Sequence, residues 1–393
     1  MTRSVLLDGL RTPLGALNGA LASLPAPRLG ALCIKALVER TGLPADRIDE
    51  VRMGQVVQAG AGQNPARQAA LLAGLPPSVG AVTVNTVCGS GLLAVIDADR
   101  AIRLGEGRLI IAGGMESMSR APYLLTEARA GYRLGHGELI DAMLRDGLQD
   151  AYGGLSMGCY GDQLAARYGF TRKEQDDYAV RSYQRARAAI ESGVFASEIV
   201  PVDVTIKGKT TTVATDEGPA RFDEAKLRAL KPAFTPDGTI TAGNASSIND
   251  GAAALVVAAR EAAEALGLAP RAEIVGSAIT SREPEWFTIA PIDAMGKLLD
   301  RVGWSAADVD LWEINEAFAA VAMAAERELG LDPDRVNIFG GAVALGHPIG
   351  CSGARLLVTL LTALRLRNAR RGVACLCVGG GEAVAMAVEA VHL

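Results

Sequence analysis

Residues 40–54 read RTGLPADRIDEVRMG, and residues 301–315 read RVGWSAADVDLWEIN. Arginine, glycine, alanine and aspartate recur at the same places in both stretches, and two further positions stay apolar. Two more matches follow in the same order: Cys88-Gly-Ser-Gly with Gly350-Cys-Ser-Gly, and IIAGGME from residue 110 with CLCVGGGE from residue 375. Three matches in one order predict a duplicated domain with the same elements in each half.

Each half alternates short β-type runs with helical patterns, which is typical of layered α/β proteins. The β-type runs lie at Ser4–Asp8, Glu50–Met53, Leu109–Ala112, Ala254–Ala258, Leu311–Ile314 and Val373–Val378. The helical patterns lie at Leu29–Thr41, Gly91–Leu104, Glu316–Leu329 and Gly353–Leu366. The last of these is mostly apolar all round, so we expect it to lie buried between layers.

The composition describes a long, apolar and slightly acidic chain. Its 393 residues, 49% of them hydrophobic, correspond to two or three folded units of about 100–200 residues each. The 39 basic and 44 acidic residues leave a net charge of −5, which argues against a broad nucleic-acid-binding surface. No apolar run approaches the length of a membrane span, and neither end resembles a targeting signal, so we expect a cytoplasmic protein without membrane contact.

Six cysteines stand at positions 33, 88, 159, 351, 375 and 377, and the chain has only three histidines. None of these cysteines forms a C-x-x-C pair, so we expect no metal site. In a reducing cytoplasm they are either buried or reactive thiols rather than disulfides. No phosphate-binding or dinucleotide-binding glycine motif occurs.

Residues 118–245 differ in composition from the scaffold on either side, since they are more polar and contain all seven tyrosines. The segment Thr171-Arg-Lys-Glu174 is a capping box, which predicts a helix that runs to about Ser192. An insertion of this length over a repeated scaffold is a natural lid or substrate-binding element.

Two residues at glycine-rich helix starts are candidates for chemistry. Cys88 follows a strand-like run, and a thiol at a helix N-terminus meets partial positive charge that favours the thiolate. His347 lies in the run GGAVALGHPIGCSG, where the following proline restricts the loop. The alternatives are a buried structural cysteine and an ordinary loop histidine, and His136 and His392 fit the latter better.

Cys377 and Asn315 are candidates for the chemistry as well, but a purely structural role explains each of them well. Cys375 and Cys377 share one face of a strand that ends in three glycines, where backbone N–H groups can act as donors. Taken alone, Cys377 is more simply a core cysteine. Asn315 precedes the helix predicted from Glu316, and by itself the role of N-cap is preferred.

Together these motifs resemble the thiolases, the acetyl-CoA C-acyltransferases. The resembling segments follow the family's order over almost the whole chain: residues 11–13, 85–92, 114–123, 241–251, 315–318, 340–350 and 377–381. The resemblance implies a thiolase-like α/β fold, in which two duplicated halves form five layers, α-β-α-β-α, with an inserted loop domain. The halves would span residues 1–268 and 269–393, with the insertion at about 118–245.

The resemblance also implies roles for five residues. Cys88 would carry the acyl group as a thioester, and His347 would be the base that makes it a thiolate. Cys377 would take a proton from the methyl group of acetyl-CoA and return it, as a thiol whose pKa lies near neutrality. His347 and Asn315, through a bound water, would form one oxyanion hole, and the N–H groups of Cys88 and Gly379 the other.

The implied reaction is reversible: two acetyl-CoA give acetoacetyl-CoA and CoA, or CoA cleaves a 3-ketoacyl-CoA. CoA is then substrate and product, no other cofactor is expected, and the family implies a homotetramer or at least a dimer. The positions that match the family's CoA contacts are Tyr183, Arg221, Lys226 and Ser246. Taken alone, the two basic residues would be an ordinary exposed face.

The chain departs from the family in the loop Ser156–Asp162. Short-chain members usually have a histidine before the residue that corresponds to Met157, and a smaller residue in place of Tyr160. Because this loop borders the acyl pocket in the family, Met157 is expected to contact substrate, and the preferred acyl length stays open. The physiological direction and the pathway stay open as well.

Two other functions fit some of these residues. A ketoacyl synthase would also use Cys88 and His347, but a decarboxylating condensation needs no base such as Cys377. A non-catalytic CoA-binding scaffold would be marked by the loss of Cys88 or His347, and both residues are present.

Overall fold

A computed structural model describes residues 3–391 of the chain. The strands are β1 Ser4–Arg11, β2 Gly15–Ala16, β3 Glu50–Gly54, β4 Gly80–Val84, β5 Leu109–Ser117, β6 Tyr123–Leu124, β7 Ile140–Asp141, β8 Val202–Ile206, β9 Lys209–Val213, β10 Asn249–Ala259, β11 Ala272–Ser281, β12 Leu311–Ile314, β13 Arg371–Val378 and β14 Glu382–Ala390. The α-helices are α1 Ala26–Thr41, α2 Pro65–Leu72, α3 Ser90–Leu104, α4 Met157–Tyr168, α5 Arg172–Glu191, α6 Glu217–Ala220, α7 Glu224–Ala229, α8 Arg260–Ala265, α9 Ala290–Val302, α10 Ala319–Leu329, α11 Ala342–Leu345 and α12 Ser352–Arg367. Short 3-10 turns lie at Ala45–Arg47, Met118–Arg120, Val194–Ser197, Pro284–Ile289, Ala306–Asp308 and Pro333–Arg335, and a π-helical turn lies at Leu144–Leu148.

The strands form one large mixed sheet in the order β12-β13-β14-β11-β1-β10-β5-β3-β4, with β2 paired to β10. In the N-terminal half, β4, β3 and β5 are parallel, and β10 and β1 continue antiparallel. In the C-terminal half, β12 and β13 are parallel, and β14 and β11 continue antiparallel. The order β3-β5-β10-β1 thus repeats as β12-β13-β14-β11, which confirms the predicted duplication.

The two halves of the sheet meet at a short junction. Here β1 pairs antiparallel with β11 through Val5 opposite Glu273 and Leu6 opposite Ala272. The place of β4 in the second half is taken by a single parallel bridge between Trp312 and Val336. The division of the chain after residue 268 stays a prediction.

Helices α3 and α12 form the central layer, because they pack against each other and against strands of both halves. Their starts approach so closely that a Cβ on Gly353 would lie 2.5 Å from the backbone nitrogen of Leu92. Residues 352–364 of α12 are all buried, as the sequence predicts. Helices α1 and α2 pack on the N-terminal strands and α9 on the C-terminal strands, which completes the five layers.

The segment between β5 and β10 leaves the sheet and holds β6–β9 and α4–α7. Its long helix α5 begins with the predicted capping box, in which Thr171 and Glu174 satisfy each other's backbone N–H groups. A buried guanidinium ties the segment to β1: Arg11 pairs with Asp216 at 2.7 Å and with Glu198 at 2.6 Å. Removing one carboxylate partner from such a buried pair typically costs about 3–5 kcal/mol.

One predicted helix starts later than expected, since α10 begins at Ala319 rather than Glu316. The carboxylate of Glu316 is buried and accepts hydrogen bonds from the Tyr178 and Ser182 hydroxyl groups. The chain after it pairs with a loop of the inserted segment, where the N–H of Ala319 donates to the Asn244 carbonyl at 2.8 Å. These tertiary contacts keep residues 316–318 out of the helix and delay the first helical turn.

Candidate active site

The loop between β4 and α3 places Cys88 just before α3. Its backbone is strained, because Val87 has a φ of +46°, a left-handed conformation that β-branched residues rarely adopt. Ser90 holds the turn: its hydroxyl accepts from the Thr86 N–H at 2.9 Å and donates to the Val87 carbonyl at 2.6 Å. The turn presents the partly exposed thiol to a cavity of about 530 Å³.

Burial raises the pKa of the Cys88 thiol to about 11, although the N–H groups of Gly379 and of Cys88 itself act in the opposite direction. The backbone N–H groups at the helix start thus favour the thiolate, as expected, but desolvation of the sulfur outweighs them in the free protein. The thiol is neutral near pH 7, so a base must take its proton before it attacks. The two N–H groups still point at the same sulfur, where they can act as a pair of donors.

Ser352 sets the tautomer of His347. The Nδ1 atom lies 2.5 Å from the Ser352 hydroxyl, and that hydroxyl donates to the Pro348 carbonyl at 3.0 Å. In the tautomer that leaves the hydroxyl proton to this carbonyl, Nδ1 carries the ring proton and Nε2 keeps its lone pair. The Nε2 atom is buried and has no hydrogen-bond partner among residues 3–391. Burial, with a smaller effect of Arg355, lowers the pKa of His347 to about 3, so the ring is neutral and can accept a proton.

Cys377 is the last residue but one of β13 and lines the same cavity. Burial, followed by the charge of Cys88, raises the pKa of Cys377 well above its usual value. The predicted pKa near neutrality is therefore wrong for the free protein, for the same reason as at Cys88. The electrostatic effect of one thiol on the other also shows that the two sulfurs are close in space. Cys375, on the same strand, instead contacts the Pro291 carbonyl in the core.

Asn315 follows β12, and its N–H donates to the Cys375 carbonyl at 2.9 Å. Since the N-cap of α10 is Phe318, the structural role predicted for Asn315 is wrong. Its side chain is fully buried, and within the described residues neither amide atom has a hydrogen-bond partner. A buried amide of this kind calls for a water or a ligand.

Most of the predicted site residues line the one cavity: Cys88, Met157, Arg221, Ser246, His347, Cys377 and Gly379. Asn315, Tyr183 and Lys226 are not part of its lining. The cavity therefore combines two thiols, a neutral imidazole and a pair of backbone donors. Such a set can transfer an acyl group through a thioester and move a proton at a second thiol.

Comparison with known proteins places this geometry in a family. The family model for the thiolase N-terminal domain matches residues 4–261, and the model for the thiolase C-terminal domain matches residues 268–390. The chain belongs to the thiolase family. This agrees with the resemblance found in its motifs, and with the duplicated five-layer architecture.

Relatives of this thiolase match it over nearly the whole length. A probable acetyl-CoA acetyltransferase of Escherichia coli (strain K12) is 51% identical over 386 residues, which cover 98% of each chain. An acetyl-CoA acetyltransferase of Pseudomonas aeruginosa is 51% identical over 384 residues, or 97% of this chain and 98% of its own. The crystal structure of the Bacillus anthracis acetyl-CoA acetyltransferase has a TM-score of 0.97 at 43% identity, covering 100% of this chain and 99% of that one.

Aromatic side chains form much of the cavity wall in this thiolase: Phe234, Phe287 and Phe318, beside Met157. Tyr160, the bulky residue of the departing loop, is buried and packs edge-on against Phe287, with ring centroids 6.1 Å apart. Tyr160 therefore supports the wall rather than lining it.

The residues expected to contact CoA fall into two groups. Arg221 and Ser246 line the cavity on the side of the inserted segment. Tyr183 instead stacks on Phe222, with ring centroids 4.6 Å apart, and Lys226 extends into solvent with its side chain 85% exposed. The second group can reach only parts of a ligand that extend beyond the cavity.

Glu116 is a buried carboxylate near the site that was not among the residues predicted from the sequence. Glu116 ends the run IIAGGME, is fully buried, and accepts the N–H groups of Val56, Val57 and Gly350. It thereby anchors the loop that carries the catalytic-site histidine. Burial raises the pKa of Glu116 to about 7. The available signal was a lone carboxylate inside an otherwise apolar strand.

The remaining expectations concern histidines, metals and membranes. His136 is exposed on the inserted segment, and His392 lies outside the described residues. Between residues 3 and 391 there is no cluster of three or more side chains that could hold a metal ion. No described helix is both long and apolar enough to cross a membrane.

Proposed function

We propose that this thiolase joins two acetyl-CoA molecules to give acetoacetyl-CoA and CoA, and catalyses the reverse cleavage, through an acetyl group on Cys88. The observation that carries the proposal is the single cavity shared by Cys88, Cys377 and His347. The relatives described above are acetyl-CoA acetyltransferases, which supports acetyl as the transferred group. The aromatic wall formed by Phe234, Phe287 and Phe318 favours a short acyl chain.

In the first half-reaction, Nε2 of His347 takes the proton of the Cys88 thiol, and the thiolate attacks the carbonyl carbon of acetyl-CoA. The N–H groups of Cys88 and Gly379 stabilise the negative oxygen that forms. The carbon–sulfur bond to CoA breaks, and the leaving thiolate takes a proton from Cys377. Acetyl-Cys88, free CoA, imidazolium and the Cys377 thiolate result, so every proton is accounted for.

In the second half-reaction, the Cys377 thiolate removes a proton from the methyl group of a second acetyl-CoA. The raised pKa of Cys377 is an advantage here, because it makes the thiolate a stronger base. The enolate oxygen accepts from the imidazolium of His347 and from a water held by Asn315. The enolate carbon attacks acetyl-Cys88, acetoacetyl-CoA leaves, and the Cys88 thiolate takes its proton back from His347.

This chemistry needs no resident cofactor, since CoA itself is substrate and product. Ser246 and Arg221 would hold the pantetheine arm and a phosphate at the mouth of the cavity. Tyr183 and Lys226 would contact only the nucleotide end of CoA. Replacing Arg221 should therefore affect KM more than replacing Lys226.

We also propose a homotetramer in a reducing cytoplasm. Val82 on the edge strand β4 is 46% exposed, and Leu134 in the inserted segment is 99% exposed, so both offer apolar surface to a second copy. All six cysteines are unpaired. Unpaired cysteines are typical of a reducing compartment. Light scattering of the purified protein should give four times the chain mass, and the mass of a single chain would contradict the assembly.

The acyl-enzyme is tested by mixing the protein with acetoacetyl-CoA and mapping modified peptides by mass spectrometry. An acetyl group on Cys88 is expected, with Cys159, also partly exposed, as the internal control that stays unmodified. No adduct on Cys88 at neutral pH would favour the non-catalytic scaffold.

The ketoacyl synthase alternative is tested by supplying substrates separately. Acetyl-CoA alone should suffice for condensation once CoA is removed to draw the reaction forward. A strict requirement for malonyl-CoA would overturn the thiolase reaction and make Cys377 dispensable.

A further inference from the structure

A second pocket of about 570 Å³ lies at the far end of the central helix α12. Helix α12 starts at Ser352, which holds His347, and ends at Arg367, about 24 Å away at 1.5 Å per residue. The pocket is built from the middle of β1, from the ends of α1, α12 and β14, and from residues 268–271, which link the two halves. It is therefore separate from the catalytic cavity.

The walls of this pocket are strongly basic in a protein whose net charge is −5. Arg40, Arg271 and Arg365 line it, and Asp8 is the one carboxylate among the lining residues. Arg40 pairs with Asp8 at 2.6 Å and Arg271 pairs with it at 3.0 Å, whereas Arg365 donates to the Ser197 hydroxyl at 3.1 Å. Two guanidinium groups thus share the one carboxylate and the third has no acidic partner among residues 3–391, which leaves two positive charges in excess.

The neighbouring charges also affect the pKa of Arg271. Burial lowers the pKa of Arg271, and the nearby Arg40 and Arg365 lower it further, against the opposing effect of Asp8. An anion between the three guanidinium groups would relieve this repulsion.

The negative ends of two helix dipoles offset only part of the positive charge in this pocket. Arg40 lies in the last turn of α1 and Arg365 in the last turn of α12, where basic side chains offset the helix dipole. Each helix end carries about half a negative charge. Two such ends still leave the pocket with about one positive charge in excess.

The floor of the pocket is apolar, since Leu7, Leu361 and Leu364 are buried beneath the arginines, with Pro270 and Val391 beside them. We propose that this pocket binds a small phosphate-bearing anion, whose phosphate lies between Arg40, Arg271 and Arg365 and whose carbon part rests on the leucines. Arginine forks match the oxygens of phosphate, and the apolar floor distinguishes the site from a purely electrostatic surface.

The test is calorimetric titration of inorganic pyrophosphate into the full-length protein without CoA, because CoA carries phosphates and would compete for this pocket. An Arg221→Gln background removes the basic side chain that lines the catalytic cavity. One pyrophosphate per chain should bind, with a Kd that rises with salt. Arg365→Gln should weaken binding at least tenfold; this side chain is exposed and holds only one hydroxyl, so the variant should fold. Arg47→Gln makes the same charge change on an exposed turn away from the pocket and should leave the Kd unchanged.

A second variant shifts the affinity in the opposite direction. Asp8→Asn removes the competing carboxylate and should tighten pyrophosphate binding several-fold, which a general loss of structure could not do. Absence of pyrophosphate binding in the CoA-free Arg221→Gln protein would overturn the proposal. Equal weakening in Arg365→Gln and Arg47→Gln would do the same, and binding of glutarate without pyrophosphate would overturn the assignment to phosphate.

Discussion

The starts of α3 and α12 occupy equivalent places in the two halves, yet they present different chemistry. Before α3, a strained turn exposes Cys88 to the cavity, whereas Cys351 before α12 is fully buried in the core. The serine that begins each helix also differs in what it holds: Ser90 holds the turn of the thiol, and Ser352 holds the imidazole of His347. The two halves thus bring two similar helix starts face to face, one of which presents a thiol to the cavity while the other supports an imidazole.

The largest effect should separate the two cysteines at these helix starts. Cys88→Ala removes the atom that bears the acyl group, so kcat should fall about 10⁴-fold or more. Cys351→Ala changes the buried cysteine directly before α12, one position along from the equivalent of Cys88, and should retain turnover with lower stability. Steady-state thiolysis of acetoacetyl-CoA measures both, and comparable losses of activity would contradict the asymmetry.

A second asymmetry concerns β13 and its counterpart β5 in the N-terminal half. Only β13 carries a thiol near its end. Cys377→Ala should lower condensation about 10²- to 10⁴-fold, the usual contribution of a general acid or base. Acetylation of Cys88 by acetoacetyl-CoA should persist in a single turnover, with water or buffer replacing the proton transfer. Cys375→Ala is the matched control, because its sulfur lies in the core; if Cys377→Ala condensed normally, the assignment of the base would fail.

The two serines should differ in a smaller and more specific way. Ser352→Ala removes the acceptor of the His347 Nδ1–H, so kcat should fall about tenfold, the value of one buried hydrogen bond, with little change in KM. Ser90→Ala should instead slow acylation and lower stability, since Ser90 holds the strained turn. Single-turnover acylation and urea unfolding of both variants separate these outcomes, and an unchanged kcat for Ser352→Ala would show that it does not position the ring.

The smallest effect follows from the pKa of His347, which burial lowers from 6.5 to about 3. Below pH 6.5 the unfolded chain binds a proton that the folded chain rejects, so stability present above that pH is lost as the pH falls towards 3. The limiting slope is about 1.4 kcal/mol per pH unit. His347→Gln should lack this loss. Between pH 6.5 and 5 its free energy of unfolding should therefore fall less than that of the wild type. Parallel pH dependences of the two proteins would contradict a neutral buried ring.

Local sequence was sufficient for much of the fold. The match between residues 40–54 and 301–315 predicted the duplication, because equivalent turns and strands need equivalent glycine and apolar positions. The capping box at Thr171 predicted the start of α5, because both of its hydrogen bonds lie within four residues of chain. These features depend on neighbours in sequence, and the structure confirms them.

Other features could not be predicted, because they depend on distant parts of the chain. The late start of α10 results from the burial of Glu316 against Tyr178 and Ser182, which belong to the inserted segment. The pKa of Cys88 depends on how deeply the cavity buries its sulfur, and a helix start alone does not reveal that. The role of Glu116 became visible only when its three backbone donors were located.

The sequence by itself determined the family and the doubled order of elements, and it singled out the side chains proposed to react, because these are properties of local pattern and residue type. Only the tertiary structure decided which thiols line the cavity, which imidazole nitrogen lacks a partner among the described residues and where two arginines meet one aspartate. Those outcomes depend on desolvation and on distances between residues far apart in the chain, and both come into existence only when the two halves pack together.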